Sequence, residues 1–277
     1  LREKKHDAIF TNPNKQNFKI DKNLLSESNI RLINTASTGL NHINLDDCKD
    51  LGVKVLSLTT DYDLIRKLPS TSELAFGLAL SMMRNIPQSF DDVKAGNWNY
   101  EPFVGRQLAG LTAGIIGYGR LGTFMARYCH AFGMKVLVND PYKNVFDYDQ
   151  VSKKELYERS DLISLHVHVK EDTIGMIGRE SISTMLRKPY IVNTSRGEIV
   201  NEDDLIIALS TNEIAGAGLD VFEKEPLPEN NKLRFLPNAL LTPHIGYVTA
   251  ENYQIFYSQM MESLEACVNG KPIRIIE

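Results

Sequence analysis

The stretch that most constrains this chain is residues 110–140, GLTAGIIGYGRLGTFMARYCHAFGMKVLVND. Its apolar run at 112–116 has the length and composition of a buried parallel strand. That run enters Gly117-Tyr118-Gly119-Arg120-Leu121-Gly122, after which a helical pattern extends to about residue 132. A second apolar run, 135–139, ends on Asp140. Strand, glycine turn, helix, strand and acid, in that order, form the fingerprint of a dinucleotide site. Gly117 allows the tight turn, Gly119 lets the backbone approach a pyrophosphate, and Gly122 lets the helix lie close on the strand. The helix start offers unpaired N–H groups and partial positive charge to the phosphates. Asp140 is placed to accept hydrogen bonds from the ribose hydroxyls and to repel a 2′-phosphate. The expected cofactor is therefore NAD rather than NADP, with Lys143 near enough in sequence to soften the repulsion.

A chain of 277 residues accommodates two ordinary domains better than one large one. A formal net charge of −4 gives no encouragement to nucleic-acid or membrane-surface partners. No apolar stretch reaches the length of a membrane span. The three cysteines, Cys48, Cys129 and Cys267, lack disulfide or metal-ligand spacing, which fits reduced thiols in a cytoplasmic protein and no bound metal. The chain opens on Leu1-Arg2-Glu3-Lys4-Lys5, a charged stub resembling the end of a helix, without an initiator Met or signal pattern. A leading strand and helix are expected to precede it.

Short strands at 8–11, 31–36 and 53–58 alternate with helical stretches such as 46–51, the pattern of a small parallel-sheet unit. Between the second strand and the next helix lies Ala36-Ser37-Thr38-Gly39-Leu40-Asn41-His42-Ile43, whose small residues leave backbone N–H groups able to face an anion. Pro69-Ser70-Thr71-Ser72-Glu73 reads as a breaker and a capping pattern ahead of an apolar helix at 74–84, the first crossing between domains. Residues 87–103, with Trp98 and Tyr100, read as an exposed stretch suited to gripping a second subunit. Beyond the glycine unit, helices at 153–159, 179–186 and 202–210 alternate with strands at 162–167, 190–194, 214–221 and 239–241. A long amphipathic helix at 249–267 and a strand at 273–276 return to the first domain. Ligands of doubly wound sheets gather at the carboxyl ends of the strands. His166, Ser195-Arg196-Gly197, the segment 220–226 and Thr242-Pro243-His244 all fall at such ends.

Hydride transfer to a ketone beside a carboxylate needs a cation, a proton donor, and something that keeps the donor charged. Arg196 offers a planar fork suited to a carboxylate. His244 is the natural acid–base group. Glu225, if adjacent, would favour the imidazolium and orient the ring, with Glu223 as its rival.

The runs Gly114-Ile115-Ile116-Gly117-Tyr118-Gly119-Arg120-Leu121-Gly122, Val192-Asn193-Thr194-Ser195-Arg196-Gly197, Gly218-Leu219-Asp220-Val221-Phe222-Glu223-Lys224-Glu225-Pro226 and Leu241-Thr242-Pro243-His244-Ile245-Gly246, in this order, resemble the D-isomer-specific 2-hydroxyacid dehydrogenases, phosphoglycerate dehydrogenase among them. The resemblance covers essentially the whole chain. It implies an α/β protein in which a doubly wound parallel-sheet (Rossmann) nucleotide domain, residues 71–246, is inserted in a smaller flavodoxin-like α/β substrate domain, residues 1–70 and 247–277. The active site is then expected in the cleft between them. It also implies Arg196 as the substrate-binding cation, Glu225 rather than Glu223 as the partner, and His244 as acid–base. Asp220 would lie near the nicotinamide carboxamide, Thr194 and His166 would line the cofactor site, and backbone at Thr38 and Gly39 would hold the substrate carboxylate.

The sequence departs from that pattern in places. A strand end usually reading His-x-Pro reads His166-Val167-His168, Ser195 replaces a small apolar residue, and residues 64–68 lengthen a connection. The loop Thr11-Asn12-Pro13-Asn14-Lys15 offers only Lys15 where phosphoglycerate dehydrogenases carry arginine, so 3-phosphoglycerate is disfavoured as substrate. Glu225 argues against formate oxidation, while phosphite oxidation would use the same three residues. The expectation is a homodimeric NAD-dependent oxidoreductase acting on a small 2-keto or 2-hydroxy acid. The alternative is an NAD-sensing protein like the C-terminal-binding corepressors.

Overall fold

The computed structural model of the chain describes residues 5–11, 18–35, 37, 39–40 and 42–276. The chain divides into two compact units, Leu1–Leu68 with Val248–Glu277, and Pro69–Tyr247.

The first unit begins with β1 (Ala8–Thr11), α1 (Lys22–Leu25), β2 (Leu32–Thr35), α2 (Leu45–Asp50), β3 (Lys54–Ser57) and α3 (Tyr62–Ile65). The three strands are parallel, with β2 in the middle and buried along its whole length. A strand covered on both faces reads as a continuous apolar run with no alternation. The helices start where an acceptor side chain precedes them: Asn44 takes the N–H of Asp47, and Asp61 takes that of Leu64. The latter cap turns the long connection at 64–68 into one helical turn.

The second unit contains α4 (Ser70–Met83), α5 (Ile86–Lys94), β4 (Thr112–Ile116), α6 (Arg120–Ala131), β5 (Lys135–Asn139), β6 (Asp149–Gln150) and α7 (Lys153–Arg159). It continues with β7 (Leu162–Leu165), α8 (Arg179–Ser183), β8 (Tyr190–Asn193), α9 (Glu202–Ser210), β9 (Gly216–Leu219) and β10 (Ala239–Leu241). Its strands form one parallel sheet in the order β10-β9-β8-β7-β4-β5-β6. The chain winds one way from β4 through β5 to β6 and the other way from β4 to β10. That reversal at β4 creates the crevice in which doubly wound sheets bind ligands. On α6, Gly122, Met125, Ala126 and Cys129 are buried at helical spacing and press on the sheet. Burial raises the Cys129 thiol pKa to about 12, so it acts as a packing residue.

The chain then returns to the first unit through α10 (Ala250–Val268) and β11 (Ile275–Ile276), which pairs antiparallel with β3. Buried Asn34 of β2 donates its Nδ2 to the carbonyl of Met260 at 2.8 Å, and Arg274 meets Asp61 at 2.9 Å. These bonds tie α10 and the last strand to the sheet.

One expectation about a helix start fails. The Ser70-x-x-Glu73 pattern does not cap α4. The helix already begins at Ser70 after Pro69, without a side-chain cap. Ser70 and Ser72 are buried instead, and the Ser72 hydroxyl donates to the Leu121 carbonyl at 2.9 Å. The exposed stretch at 87–103 opens within a helix, α5, that its sequence did not announce. Pro87 sits in the first turn of α5, where its missing N–H costs nothing, and Ile86, Phe90 and Val93 form an exposed apolar stripe. Several strands are shorter than their apolar runs. β7 ends at Leu165, β9 spans only Gly216–Leu219, and β11 only Ile275–Ile276.

Candidate active site

Strand register aligns the rim of the second unit. Asn139 pairs with Ile116, Ile116 with Leu165, Leu165 with Asn193, Asn193 with Leu219, and Leu219 with Leu241. The residue after each of these is Asp140, Gly117, His166, Thr194, Asp220 and Thr242. Six neighbouring parallel strands therefore present six predicted or flanking site residues at one level, successive strands being about 4.8 Å apart. His244 follows two residues beyond Thr242.

The glycine turn occupies the β4 position in this row. Gly117 has φ +88, and a Cβ there would lie 2.4 Å from the His166 carbonyl oxygen. A Cβ on Gly122 would come within 1.9 Å of the Gly117 carbonyl oxygen, so side chains are barred at both ends of the turn. At Gly119 a Cβ would meet no protein atom within 4 Å. Packing therefore does not require glycine there, unlike at Gly117 and Gly122. Asp140 folds back onto the turn, accepting the N–H of Tyr118 at 2.8 Å and that of Tyr142 at 2.9 Å. Lys143 donates its Nζ to the Tyr118 carbonyl at 3.1 Å. Burial lowers the pKa of Arg120, in the same turn, below the ordinary guanidinium value. Leu121 contributes its carbonyl to the bond with Ser72. His166 is held by Ser164 Oγ at 2.8 Å from its Nε2, and burial pushes its pKa down to about 4. It stays neutral beneath the turn. The loop beyond is fixed by Thr173, whose hydroxyl donates to the His168 carbonyl at 2.7 Å.

The chemically promising groups meet where β8, β9 and β10 end. His244 Nδ1 lies 2.7 Å from Glu225 Oε2. Glu225 Oε1 accepts the N–H of Phe222 at 3.1 Å. Burial alone would raise the pKa of Glu225. Its bond to His244, the His244 charge, the Phe222 N–H and the Arg196 charge together bring it below the usual carboxylate value. The rival Glu223 turns away and accepts the N–H of Glu202 at 3.0 Å. Arg196 is shaped by buried Asn193, whose amide donates to the Arg196 carbonyl at 2.8 Å while its oxygen accepts the Ser195 N–H and hydroxyl. Ser195 thus serves the turn with its hydroxyl. Arg196 donates its Nη1 to the Ser195 carbonyl at 2.6 Å.

Asp220 is buried, and its carboxylate takes the Thr242 hydroxyl at 2.6 Å and the N–H groups of Ile245 and Gly246 at 2.8 Å each. Burial raises its pKa against the pull of these donors. By gripping the turn on both sides of His244, it supports a residue whose φ of 57 lies in the left-handed region. Sequence reasoning named Asn193 and Thr242 only as members of motifs, without a role, and missed this grip of Asp220. Their partners stand far apart along the chain, and no periodicity marks them.

In the first unit, Thr38 lies outside the described residues, as does the loop containing Lys15. Gly39 is described, and its carbonyl accepts the Ser37 hydroxyl. Ser57 Oγ donates to the Ser37 carbonyl at 2.8 Å, and Thr35 Oγ1 lies 3.1 Å from His42 Nε2.

Residues 76–246 match the D-isomer specific 2-hydroxyacid dehydrogenase, NAD binding domain. The chain belongs to the D-isomer specific 2-hydroxyacid dehydrogenase family. It is an NAD-dependent dehydrogenase of that family, and its cofactor is NAD. A hydroxypyruvate reductase of Thermotoga maritima is 38% identical over 240 residues, covering 85% of this chain and 77% of the relative. A D-3-phosphoglycerate dehydrogenase of Bacillus subtilis is 33% identical over 255 residues, 89% of this chain but 47% of the relative. The chain thus spans about half of that longer protein. A solved D-lactate dehydrogenase from Aquifex aeolicus, complexed with NAD and lactic acid, superposes with a TM-score of 0.83 at 33% identity over 97% of this chain and 84% of its own.

The residues on the rim fit the family's dinucleotide. Thr194 Oγ1 is buried without a hydrogen-bond partner, a costly state that a bound cofactor's polar group would relieve. The open space over Gly119 suits a pyrophosphate. Among the described residues, no group of three His, Cys, Asp or Glu is placed to hold a metal ion, and no helix is long and apolar enough to cross a membrane.

Proposed function

We propose that the chain interconverts a small, unphosphorylated 2-keto acid and the corresponding D-2-hydroxy acid. The contact between His244 Nδ1 and Glu225 Oε2, 2.7 Å long and beside the Arg196 charge, carries this reading. NADH supplies the hydride that reaches the keto carbon. Arg196 holds the substrate's carboxylate or its keto oxygen and stabilises the charge that develops there. His244, with Nδ1 committed to Glu225, delivers the proton to that oxygen from Nε2. In oxidation the same nitrogen is the base. Glu225 keeps the imidazolium charged until transfer, and Asp220 keeps the His244 turn in register. Thr194 and the turn at Gly117, Tyr118, Gly119, Arg120, Leu121 and Gly122 hold the dinucleotide, with Asp140 at its ribose. Thr38 and Gly39 are proposed to hold the substrate carboxylate through backbone N–H groups.

An unphosphorylated substrate is supported by the likeness to a hydroxypyruvate reductase and by the lack of arginine in the loop Thr11-Asn12-Pro13-Asn14-Lys15. The test is NADH consumption over 2-keto acids with and without a phosphate group. Turnover of hydroxypyruvate, glyoxylate or pyruvate well above the phosphorylated acids supports the reading, and the reverse order overturns the substrate assignment. NADH binding without turnover of any keto acid would favour the corepressor-like sensor, a reading for which the relatives' names give no support. The stripe Ile86, Phe90 and Val93, with exposed Trp98 and Tyr100, is the proposed contact of a homodimer. The free cysteines suit a cytoplasmic setting.

A further inference from the structure

At Gly197 the turn that bears Arg196 packs backbone to backbone against the loop that bears Glu225. A Cβ on Gly197 would lie 1.9 Å from the Phe222 carbonyl carbon, 2.0 Å from its oxygen and 2.4 Å from the Glu223 nitrogen. The spacing of Arg196 from Glu225 therefore depends on where the Phe222–Glu223 peptide sits. The peptide just before it supports Glu225, through the Phe222 N–H at 3.1 Å from Oε1. The Phe222–Glu223 peptide itself is held from outside the loop, where the Glu223 N–H donates to Glu202 Oε2 at 3.2 Å.

Glu202 is the first residue of α9, and its carboxylate does not serve that helix. The capping acceptor is Asn201, which takes the Asp204 N–H at 3.0 Å. Glu202's other oxygen accepts the Asn231 side-chain amide at 2.8 Å, and its own N–H, an orphan donor of the helix start, is taken by Glu223 Oε1 at 3.0 Å. Two carboxylates exchange backbone N–H groups, and a third segment, at Asn231, steadies the one on the helix.

We infer that Glu202 is a positioning residue for Glu225. Its carboxylate pins the Glu223 N–H and so sets the Phe222–Glu225 turn at the height where Glu225 meets His244 within the influence of the Arg196 charge. Glu202 itself touches none of the reacting groups. The inference rests on the roles proposed above for Glu225 and His244. In this site His244 is faced by Glu225 and Asp220, and Glu225 by His244 and Arg196. When the loop slackens, the anion withdraws from the imidazolium, while Arg196 is still held by the Asn193 amide on its carbonyl and Asp220 by the N–H groups of Ile245 and Gly246.

The experiment follows kcat/KM for keto-acid reduction against pH in the full chain, alongside NADH affinity by fluorescence and thermal stability. Glu202→Ala is expected to move the alkaline limb lower, toward that of Glu225→Gln, and to lower kcat/KM several-fold at alkaline pH, with NADH affinity within about twofold of the parent. Glu202→Asp, which keeps the charge but withdraws it by one methylene, moves the limb the same way and serves if the alanine variant does not fold. Glu202→Gln keeps an acceptor for the Glu223 N–H and recovers most of the shift. A limb at the parental position in both Glu202→Ala and Glu202→Asp overturns the inference. So does a loss of activity equal at every pH that tracks lowered stability. If Glu225→Gln itself leaves the limb in place, the proposed role of Glu225 fails instead.

Discussion

Glu225→Gln isolates the charge on which the proposed chemistry leans, because the amide keeps the shape and an acceptor for the Phe222 N–H. The pair it breaks is 2.7 Å long, with side chains 28% (His244) and 35% (Glu225) accessible. Two unit charges about 4 Å apart at an effective dielectric constant of about 20 attract by about 4 kcal/mol. Partial exposure screens this, and double-mutant cycles on exposed pairs place the useful fraction at about 1 kcal/mol. Charge assistance in a half-buried pair brings it to about 1–2 kcal/mol, roughly a tenfold difference in the population of the charged pair. Keto-acid reduction needs the imidazolium, so activity is high on the acidic side and falls along an alkaline limb. Removing the anion destabilises the imidazolium, and the unbalanced Arg196 charge works in the same direction. The limb should move to lower pH. NADH oxidation followed spectrophotometrically from about pH 5 to pH 9 measures it. At alkaline pH kcat/KM should fall about tenfold, with NADH affinity unchanged and part of the activity recovered on acidification. An unmoved limb, or a parallel loss of NADH affinity, refutes the reasoning.

Three further outcomes are expected. His244→Ala should lower kcat by about 10²–10⁴-fold while NADH fluorescence binding stays nearly intact; a collapse of binding would mean that His244 belongs to the cofactor site. Asp140→Ala should raise the NADPH-to-NADH ratio of kcat/KM and weaken NADH several-fold, since Asp140 also braces the Tyr118 N–H; an unchanged ratio sinks its ribose role. Phe90→Asp, on an exposed stripe, should shift the chain toward monomer in sedimentation without lowering its thermal stability, and an unaltered association state removes the proposed contact.

Apolar runs with sharp polar borders located β4, β5 and β10, and helical spacing located α7 and α9, at their observed bounds. The strands read too long are those whose apolar side chains outlast their ladders. Val167 lies against the glycine turn, where a Cβ on Gly117 would come 2.8 Å from its Cγ1, and Val221 is buried beyond the end of β9. Hydrophobicity reports burial, whereas a strand ends where its hydrogen-bond partner ends. α5 escaped because Pro87 reads as a breaker unless its first-turn position is known. In the site, strand-end motifs pointed to the rim, but the grip of Asp220 on the 242–246 turn and of Glu202 on the Glu223 N–H depends on pairings across different strands. No local pattern encodes them.

The most direct test of the central claim is turnover of enantiomerically pure 2-hydroxy acids with NAD, monitored as NADH formation. The account predicts oxidation of the D acid, no detectable oxidation of its L isomer, and loss of the signal in His244→Ala. NAD binding with neither enantiomer oxidised, or preference for the L acid, would contradict it.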